Sequence, residues 1–274
     1  MSIITLTTDY GLKDHFVGAL KGKILSQNKE AIIVDISHHI DSFNTSEASY
    51  IIDASYNSFP KGTVHIIGID IELKEDNQHI AMEWNGHYFI ATDNGILSML
   101  IQKIKPQKMV AINIHDRLLP EATDMDVFVT VAVHIAKGGS LNVIGKEIKQ
   151  LKEVTELQPV IASDTNSIKG YVVYIDHFGN AVTNISKKLF LDIAKGRPYE
   201  VIFKSKKVKT IFAKYSEIEA ADKQPTTITG KHLAIFNEAG FLEIGIYKSN
   251  TKTGTASSLL GLRYRDFVMI NFNN

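Results

Sequence analysis

The sequence predicts two domains: an α/β N-terminal domain with a mostly parallel sheet, and a smaller all-β, barrel-like C-terminal domain. The chain has 274 residues, which is long for one compact domain. Up to residue 150 the apolar residues alternate between strand and helix spacing, and after residue 167 they follow mainly strand spacing. The polar, poorly periodic residues 151–166 predict a linker, which places the domains at 1–150 and 167–274.

The N-terminal elements alternate in the order typical of a parallel sheet. Short β-branched runs predict strands at residues 3–7, 31–36, 63–69, 80–84, 87–92 and 109–114. Apolar residues at helical spacing predict helices at residues 14–27, 46–56, 96–104 and 126–137. The first five elements follow a β-α-β-α-β order, which implies right-handed crossovers between parallel strands. Asn85-Gly86 is a type I′ turn signal and predicts a hairpin of the fourth and fifth strands.

The C-terminal region carries short apolar runs separated by turn residues. These runs cover residues 170–175, 199–203, 206–212, 233–236, 241–247 and 267–272. Many short strands with regular turns are typical of a small antiparallel barrel or sandwich. We therefore expect no helical layer in this domain.

The composition excludes several classes of protein. Lysine plus arginine and aspartate plus glutamate each number 30, so the basic surplus typical of a nucleic-acid partner is missing. No apolar run approaches the ~18 residues that span a bilayer, and the first residues lack the pattern of a secretory signal. Cysteine is absent, which excludes disulfides and thiolate catalysis. We expect a soluble, cytoplasmic protein that binds neither nucleic acid nor membranes.

Three carboxylates follow or end the first three predicted strands. They are Asp9, Asp35 and Asp70, and ligands of open α/β sheets bind beyond the carboxyl ends of the strands. Each could instead cap a helix or accept hydrogen bonds from turn amides, but as a set they favour a site for ribose hydroxyls, a cation or a catalytic water. His38 and His39 suggest a metal, yet adjacent side chains of an extended chain point to opposite faces. We expect no metal.

Two further features could recognise a nucleoside. Phe43 is a lone aromatic residue in a polar loop and could stack on a base or pack under the following helix. Asp176, Phe178 and Asn180 surround Gly179 directly after a predicted strand. An amide can read an adenine edge and an aromatic ring can stack on a base. A β-turn with asparagine in the left-handed conformation explains the same residues equally well.

Seven short motifs occur in an order that spans both predicted domains. They are residues 7–11 (TTDYG), 17–22 (VGALKG), 34–38 (VDISH), 59–64 (FPKGTV), 93–97 (DNGIL), 175–184 (IDHFGNAVTN) and 237–244 (NEAGFLEI). The ordered set resembles the S-adenosyl-L-methionine (SAM) hydroxide adenosyltransferase family, or SAM hydrolases, which are related to the SAM-dependent fluorinase and chlorinase. The resemblance implies an α/β domain, a β-barrel domain, and a homotrimer with SAM bound between neighbouring subunits.

The same resemblance implies roles for the nucleoside-recognising residues. Asp9 would hold the ribose hydroxyls and Phe43 would pack against the ligand. Asp176 would take the methionine ammonium, while Phe178 and Asn180 would frame the adenine. The reaction implied is displacement of L-methionine at C5′ by water, which gives adenosine. SAM is then the substrate, and no separate cofactor is expected.

The remaining motifs add four ligand-binding candidates. Asp93 and Asn94 lie in the motif at 93–97, and Asn237 and Glu238 begin the motif at 237–244. Glu238 and Ala239 replace the pair that holds the methionine carboxylate in the halogenases that the sequence resembles. A carboxylate at position 238 would repel that group.

The sequence departs from the family pattern at the catalytic positions. The hydrolases resembled here align and activate water with an Asp–Arg–His set. Asp70 matches the aspartate, but Asn77 stands at the arginine position and Thr123 at the histidine position. Losing a general base lowers a rate by ~100- to 10,000-fold. His115 and Arg117 could replace the lost groups, or they could lie in a surface loop.

We therefore carry two hypotheses from different classes. The first is a SAM hydrolase, weak or otherwise, with Asp70, Asn77 and Thr123 at the catalytic positions. The second is a catalytically degraded protein that binds SAM or another nucleoside. Halogenation is disfavoured because the Asp70 carboxylate would stand beside the halide. A metal-dependent hydrolase is the remaining outside option.

Overall fold

Two separate sheets organise the chain in the computed structural model, which describes residues 3–101, 104–154, 157–221 and 229–273. The chain divides into two compact units, Met1–Val154 and Thr155–Asn274. No helix among the described residues is long and apolar enough to cross a membrane.

The first unit contains a seven-stranded mixed sheet. Its strands are β1 (Ile3–Thr8), β2 (Ile32–Ser37), β3 (Val64–Gly68), β4 (His79–Trp84), β5 (His87–Thr92), β6 (Lys108–Ile112) and β7 (Gly145–Glu147). They lie in the order β2-β1-β3-β5-β4-β6-β7, and five of these seven described strands run in one direction while β4 and β7 run opposite. The expectation of an α/β unit whose strands are mostly parallel is confirmed.

Helices cover both faces of this sheet. They are α1 (Phe16–Gln27), α2 (Thr45–Ser55), α3 (Ile96–Ile101), α4 (Asp124–Ala136) and the single turn α5 (Leu141–Ile144). One core packs Leu20 of α1 and Phe128 of α4 against β1, β3 and β5, and a second packs Ile52 and Leu97 against Phe89. Residues 102 and 103 of the predicted helix 96–104 lie outside the described residues. Sequence periodicity missed α5 and β7, which are too short to show a period.

The predicted hairpin is confirmed in detail. β4 and β5 pair antiparallel from His79 opposite Thr92 to Trp84 opposite His87. Asn85 and Gly86 both have positive φ, 49° and 76°, as a type I′ turn requires. The hairpin places β5 next to β3, and β4 on the other side of β5. The loop that follows β3 therefore lies beside the last residue of β5 and the first residue of β4.

The second unit contains a nine-stranded, nearly closed sheet. Its strands are β8 (Val160–Ile161), β9 (Ser167–Ile175), β10 (Ala181–Ser186), β11 (Tyr199–Phe203), β12 (Lys206–Val208), β13 (Ile211–Phe212), β14 (His232–Phe236), β15 (Phe241–Ile246) and β16 (Phe267–Phe272). β9 pairs with β16 through residues 167–171 and with β10 through residues 172–175. A side chain on Gly170 would meet Ile185 Cγ1 at 2.3 Å, so only glycine fits where β9 changes partners.

The expectation of an all-β second domain is not confirmed. Its helices are α6 (Lys187–Ala194), α7 (Glu217–Ala221) and the single turn α8 (Ala256–Leu259). α6 begins where the Ser186 hydroxyl accepts a hydrogen bond from Leu189 N, and it buries Phe190 and Ala194 against the sheet. The predicted strand 206–212 is two strands, β12 and β13. β8 falls inside the predicted linker 151–166, of which residues 155 and 156 lie outside the described residues.

Two buried histidines form a polar network inside the first unit. Thr5 Oγ1 lies 2.7 Å from His65 Nδ1, and His65 Nε2 lies 3.2 Å from His87 Nδ1. The ring of His65 stacks on Phe89 with centroids 4.8 Å apart. Burial, together with the neighbouring His87, lowers the pKa of His65 to about 3. The folded unit therefore holds His65 neutral.

This network predicts that the first unit loses stability in mild acid. The unfolded chain binds a proton at His65 near pH 6.5 and the folded chain near 3, so stability falls as the pH drops from 6.5 towards 3. The slope contributed is up to about 1.4 kcal/mol per pH unit. Urea unfolding between pH 7 and 5, followed by fluorescence of the single, buried Trp84, measures it. His65→Gln should flatten the dependence of the unfolding free energy on pH, whereas His177→Gln, at an exposed histidine, should leave it unchanged. Equal slopes in the wild type and both variants would refute the role given to His65.

Candidate functional site

The neighbouring parallel strands β1, β2 and β3 bring three carboxylates to one edge of the first sheet. Asp9 and Asp70 lie just beyond β1 and β3, and Asp35 lies near the end of β2. Asp35 serves the structure, because Lys21 Nζ lies 2.6 Å and His38 Nε2 3.2 Å from its carboxylate. Partial burial opposes ionisation, but these hydrogen bonds prevail and lower the pKa of Asp35.

Asp9 and Phe43, which lie in the loops after β1 and β2, are brought together by a hydrogen bond. The Phe43 backbone N–H donates to Asp9 Oδ2 at 3.0 Å, and Phe43 itself has a φ of 63°. Its ring is 71% exposed, so it does not pack under α2. The Gly11 N–H donates to His38 O at 2.6 Å, and the His38 ring bonds the Thr8 hydroxyl at 2.7 Å. These contacts join the loop after β1 to the loop after β2 and leave an aromatic face open to a ligand.

Asp70 begins a loop, residues 70–77, which we call the Asp70 loop. Asp70 has a φ of 46°, the left-handed conformation that few residues other than glycine, asparagine and aspartate adopt. Four successive carbonyls accept hydrogen bonds from side chains at this point. From the end of β5, Asn94 Nδ2 donates to Ile69 O (3.0 Å), and Thr92 Oγ1 lies 3.2 Å from the carbonyl oxygens of both Ile69 and Asp70. Asn77 Nδ2 donates to Asp70 O (3.1 Å) and to Glu72 O (3.2 Å). His79 Nε2 lies 2.8 Å from Ile71 O.

Asn77 and Thr123 both bond to the protein itself. Asn77 is 5% exposed, and its amide holds the two carbonyls at the start of the Asp70 loop. Thr123 is the N-cap of α4, and its hydroxyl and backbone N–H both donate to Asp126 Oδ2, at 2.7 and 2.8 Å. Lys23 pairs with the other oxygen of Asp126. The residues at the arginine and histidine positions of the family pattern therefore have structural hydrogen bonds.

The two proposed substitutes differ in position. The Arg117 guanidinium donates to Val143 O at 3.0 Å in an exposed position, as a surface loop residue would. His115 Nε2 instead lies 3.0 Å from His79 Nδ1. His79 is fully buried behind the Asp70 loop. Sequence reasoning missed His79, because a histidine at the first position of an apolar strand gives no signal of its own.

Asp124 is the second residue that the sequence analysis missed. It is the first residue of α4, where the positive end of the helix favours a carboxylate. Its Oδ2 accepts from Leu73 N at 3.2 Å and its Oδ1 lies 3.7 Å from His79 Nε2. Burial, then Asp9 and Asp124, raise the pKa of Tyr10 to about 12. Asp124 thus contacts the Asp70 loop and the buried His79 behind it.

Asp93 and Asn94 lie at the end of β5 beside these groups. Asp93 Oδ1 accepts from the Lys152 backbone N–H at 2.9 Å, and burial raises the pKa of Asp93 despite that contact. Asn94 Oδ1 accepts a hydrogen bond from Ile96 N, so the Asn94 side chain caps the start of α3. Both residues shape the edge of the sheet, and Asn94 supports the backbone that leads into Asp70.

In the second unit, the predicted Asp176, Phe178 and Asn180 form the turn between β9 and β10. Asp176 accepts from Asn180 N (2.8 Å) and Asn180 Nδ2 (2.9 Å), so the carboxylate fixes the amide. Gly179 has a φ of 79°, and a side chain there would meet Thr255 at 2.5 Å. The ring of Phe178 at the tip of the turn is 63% exposed. The predicted β-turn forms, but Gly179 rather than an asparagine takes the left-handed conformation, and the turn leaves the aromatic face of Phe178 open.

A buried carboxylate lies beside this turn. Glu243 accepts from Tyr215 Oη at 2.5 Å and from Asn237 Nδ2 at 3.1 Å. Burial raises the pKa of Glu243, and Asp176 adds to that effect. Asn237 thus supports Glu243, whereas Glu238 is exposed. A side chain on Gly245 would lie 2.8 Å from Asn180 Oδ1, so β15 must carry glycine there for the amide to keep its position.

A metal arrangement is not found among residues 3–101, 104–154, 157–221 and 229–273: no three histidine, aspartate or glutamate side chains converge in a way that could hold an ion. His38 bonds to Thr8 and Asp35. The His39 backbone N–H donates to the Ser37 hydroxyl. The two adjacent histidines therefore do not act as a pair.

Comparison with known proteins covers both units. The family model of the SAM hydroxide adenosyltransferase N-terminal domain matches residues 4–145, and that of the C-terminal domain matches residues 170–269. This chain belongs to the SAM hydroxide adenosyltransferase family. The (R)-S-adenosyl-L-methionine hydrolase of Methanocaldococcus jannaschii is 30% identical over 98% of this chain and 96% of that protein. The resemblance inferred from the seven motifs is confirmed.

A fluorinase and a solved structure are also similar to this family member. The fluorinase of Actinopolyspora mzabensis is 26% identical over 68% of the chain and 72% of that protein. The crystal structure of an uncharacterised conserved protein from Thermotoga maritima superposes with a TM-score of 0.81 at 26% identity, covering 99% of this chain and 100% of that one. The fold of this adenosyltransferase family member is therefore shared over its full length.

The hydrogen bonds of Asn77 predict how the site responds to a charge change. Asn77→Asp replaces a donor by a carboxylate that faces two carbonyl oxygens, and it should lower the free energy of unfolding by about 2–4 kcal/mol. Gln78→Glu makes the same chemical change at the exposed neighbouring position and should alter stability by less than about 0.5 kcal/mol. Urea titration followed by Trp84 fluorescence compares the two; similar effects would show that Asn77 does not hold the loop.

Proposed function

We propose that this chain hydrolyses SAM to adenosine and L-methionine. Water forms a bond to C5′ while the bond from C5′ to the sulfonium sulfur breaks, and methionine leaves as a neutral thioether. One proton is released from the attacking water. The leaving group needs no acid, so the protein must supply an aligned, desolvated nucleophile. The relatives named as SAM hydrolases support this reaction.

The position of Asp70 is the observation that carries the proposal. Its backbone is fixed by side-chain donors at the carboxyl end of β3, and its carboxylate is half-buried with Lys74 Nζ 4.0 Å away. A carboxylate carried on a backbone held this firmly can accept a hydrogen bond from water and orient its lone pair. We assign to Asp70 the role of holding the attacking water. Asn77 supports Asp70 through the backbone, and Thr123 supports α4 rather than the water.

The ligand contacts that we propose use the two exposed rings and the carboxylates near them. Asp9 binds the ribose hydroxyls and Phe43 packs on the ligand, because the Asp9–Phe43 hydrogen bond holds the loops that carry them side by side. In the second unit, Asp176 takes the ammonium group, and Phe178 and Asn180 frame the adenine. Asp93, Asn94 and Asn237 support these groups, since each bonds to the protein. Glu238 is exposed and makes no contact with the methionine carboxylate in this scheme, since the two like charges would repel.

A second candidate function rests on Asn77 and Thr123. Both are engaged in hydrogen bonds with the protein, so neither replaces the arginine or histidine of the family pattern. A chain that binds SAM or a related nucleoside without turning it over would show the same arrangement. Binding and turnover therefore have to be measured on the same protein.

Incubation of purified, untagged protein with SAM, with adenosine followed by chromatography, tests the proposal. We expect adenosine and methionine in equal amounts, and a 100- to 10,000-fold lower rate for Asp70→Asn. Asp76→Asn makes the same change at a side chain of the same loop that is 80% exposed, and it should keep the wild-type rate.

The outcomes separate the two candidates. Intact SAM together with saturable binding in calorimetry would replace the hydrolase by the binding protein. Intact SAM without binding would remove both. Full turnover by Asp70→Asn would leave hydrolysis standing and refute the role given to Asp70.

For the assembly we propose a homotrimer in the cytoplasm. Support comes from the family resemblance, which implies a homotrimer, and from exposed apolar side chains of the first unit that an interface could cover, namely Leu12 (59% exposed), Phe43 (71%) and Leu119 (70%). A chain without cysteine suits a reducing compartment. Multi-angle light scattering should give three times the mass of one chain; the mass of a single chain would exclude the trimer.

A further inference from the structure

His79 is a fully buried ionisable side chain that touches the Asp70 loop. It begins β4, and its ring packs edge-on against Phe128 of α4 with centroids 4.8 Å apart. Burying an imidazole without hydrogen bonds is costly, because the ring carries one donor and one acceptor. Both ring nitrogens of His79 have partners, and those partners define what the residue does.

The partners assign the tautomer. Ile71 O, 2.8 Å from His79 Nε2, can only accept, so Nε2 carries the proton. In a neutral imidazole Nδ1 then accepts, and His115 Nε2 at 3.0 Å must donate to it. Burial lowers the pKa of His79, which favours this neutral form. The chain of hydrogen bonds therefore runs from His115 through His79 to the carbonyl next to Asp70.

Asp124 completes the arrangement from the other side. Its carboxylate accepts from Leu73 N and lies 3.7 Å from His79 Nε2. The carbonyl of residue 71 and the N–H of residue 73 are thus held by neighbouring side chains from β4 and α4. The intervening Glu72 O accepts from Asn77. Three consecutive residues after Asp70 are fixed without a glycine or proline in the loop.

We propose that His79, oriented by His115 and backed by Asp124, is a positioning residue that holds the Asp70 loop in the conformation needed to align the attacking water. The inference rests on the proposed hydrolysis. His79 does not reach the water; it acts through Ile71 O on the backbone that sets the direction of the Asp70 side chain. It is separate from Asn77 and Thr123, which occupy the arginine and histidine positions of the family pattern.

Three variants test the proposal. His79→Phe keeps the ring and its packing on Phe128 but removes both nitrogens. His79→Gln is the rescue, because its amide nitrogen can reach Ile71 O. His87→Phe is the matched control, since it removes a buried imidazole of the same unit that bonds His65 and not the loop. Amide hydrogen exchange of the peptide spanning residues 70–78, and kcat and KM for SAM, are measured for each.

We expect His79→Phe to speed exchange in the 70–78 peptide about tenfold, and to lower kcat about 100-fold with KM within threefold of wild type. His79→Gln should restore most of both, and His87→Phe should change neither beyond threefold. Exchange in peptides from β1 and β3 shows whether each variant is folded. Unchanged loop exchange in folded His79→Phe, failure of His79→Gln to rescue, or an equal effect of His87→Phe would overturn the proposal.

The exchange measurement does not need turnover. If the wild-type protein makes no adenosine, the hydrolase proposal fails while the loop exchange still decides whether His79 holds the Asp70 loop. If the wild-type protein is active and His79→Phe keeps its kcat, the hydrolase proposal stands and the positioning role fails.

Discussion

The left-handed backbone of Asp70 is the constraint on which the rest of the candidate site depends. A non-glycine residue at φ 46° is strained, by about 1–3 kcal/mol for such conformations, and it persists only when its surroundings over-determine it. Here the surroundings are the side-chain donors to four successive carbonyls from Ile69 to Glu72. A net contribution of about 1 kcal/mol for each bond exceeds the strain. The backbone conformation of Asp70 is thus maintained by hydrogen bonds from other residues.

The donors come from different elements, and the sheet order explains why they converge. β5 lies next to β3 and β4 lies next to β5, so the end of β5 supplies Thr92 and Asn94 while the start of β4 supplies His79. Both positions meet the chain as it leaves β3. α4 packs on the same strands, and its first residue, Asp124, reaches Leu73. The hairpin with its Asn85-Gly86 turn therefore does more than add two strands, because it sets the register that carries His79 to the Asp70 loop.

The sequence predicted the layers of the first unit and the carboxylates at its edge because both depend on local patterns. Apolar periodicity identified β1, α1 and β3, and strand ends identified Asp9 and Asp70. It could not identify His79 or Asp124, since their roles arise from contacts with residues 8 and 51 positions away. The sequence analysis missed helix α6 because its eight residues, 187–194, lie among predicted strands and form only about two helical turns, which is too short for a clear helical period. Functional residues that act through long-range hydrogen bonds leave no trace in a single sequence.

The charges of the site explain how a chain without the family's arginine and histidine can still suit a sulfonium substrate. SAM carries a positive charge at the reacting sulfur, and an arginine beside it would be repelled by that charge. Asn77 removes this repulsion, while Asp124 adds a carboxylate that accepts a hydrogen bond from Leu73 N of the Asp70 loop. The first unit thus places an uncharged amide and a carboxylate, rather than an arginine, beside the Asp70 loop. What it gives up is a charged partner for the water, and the alignment of that water then rests on how rigidly the backbone holds Asp70.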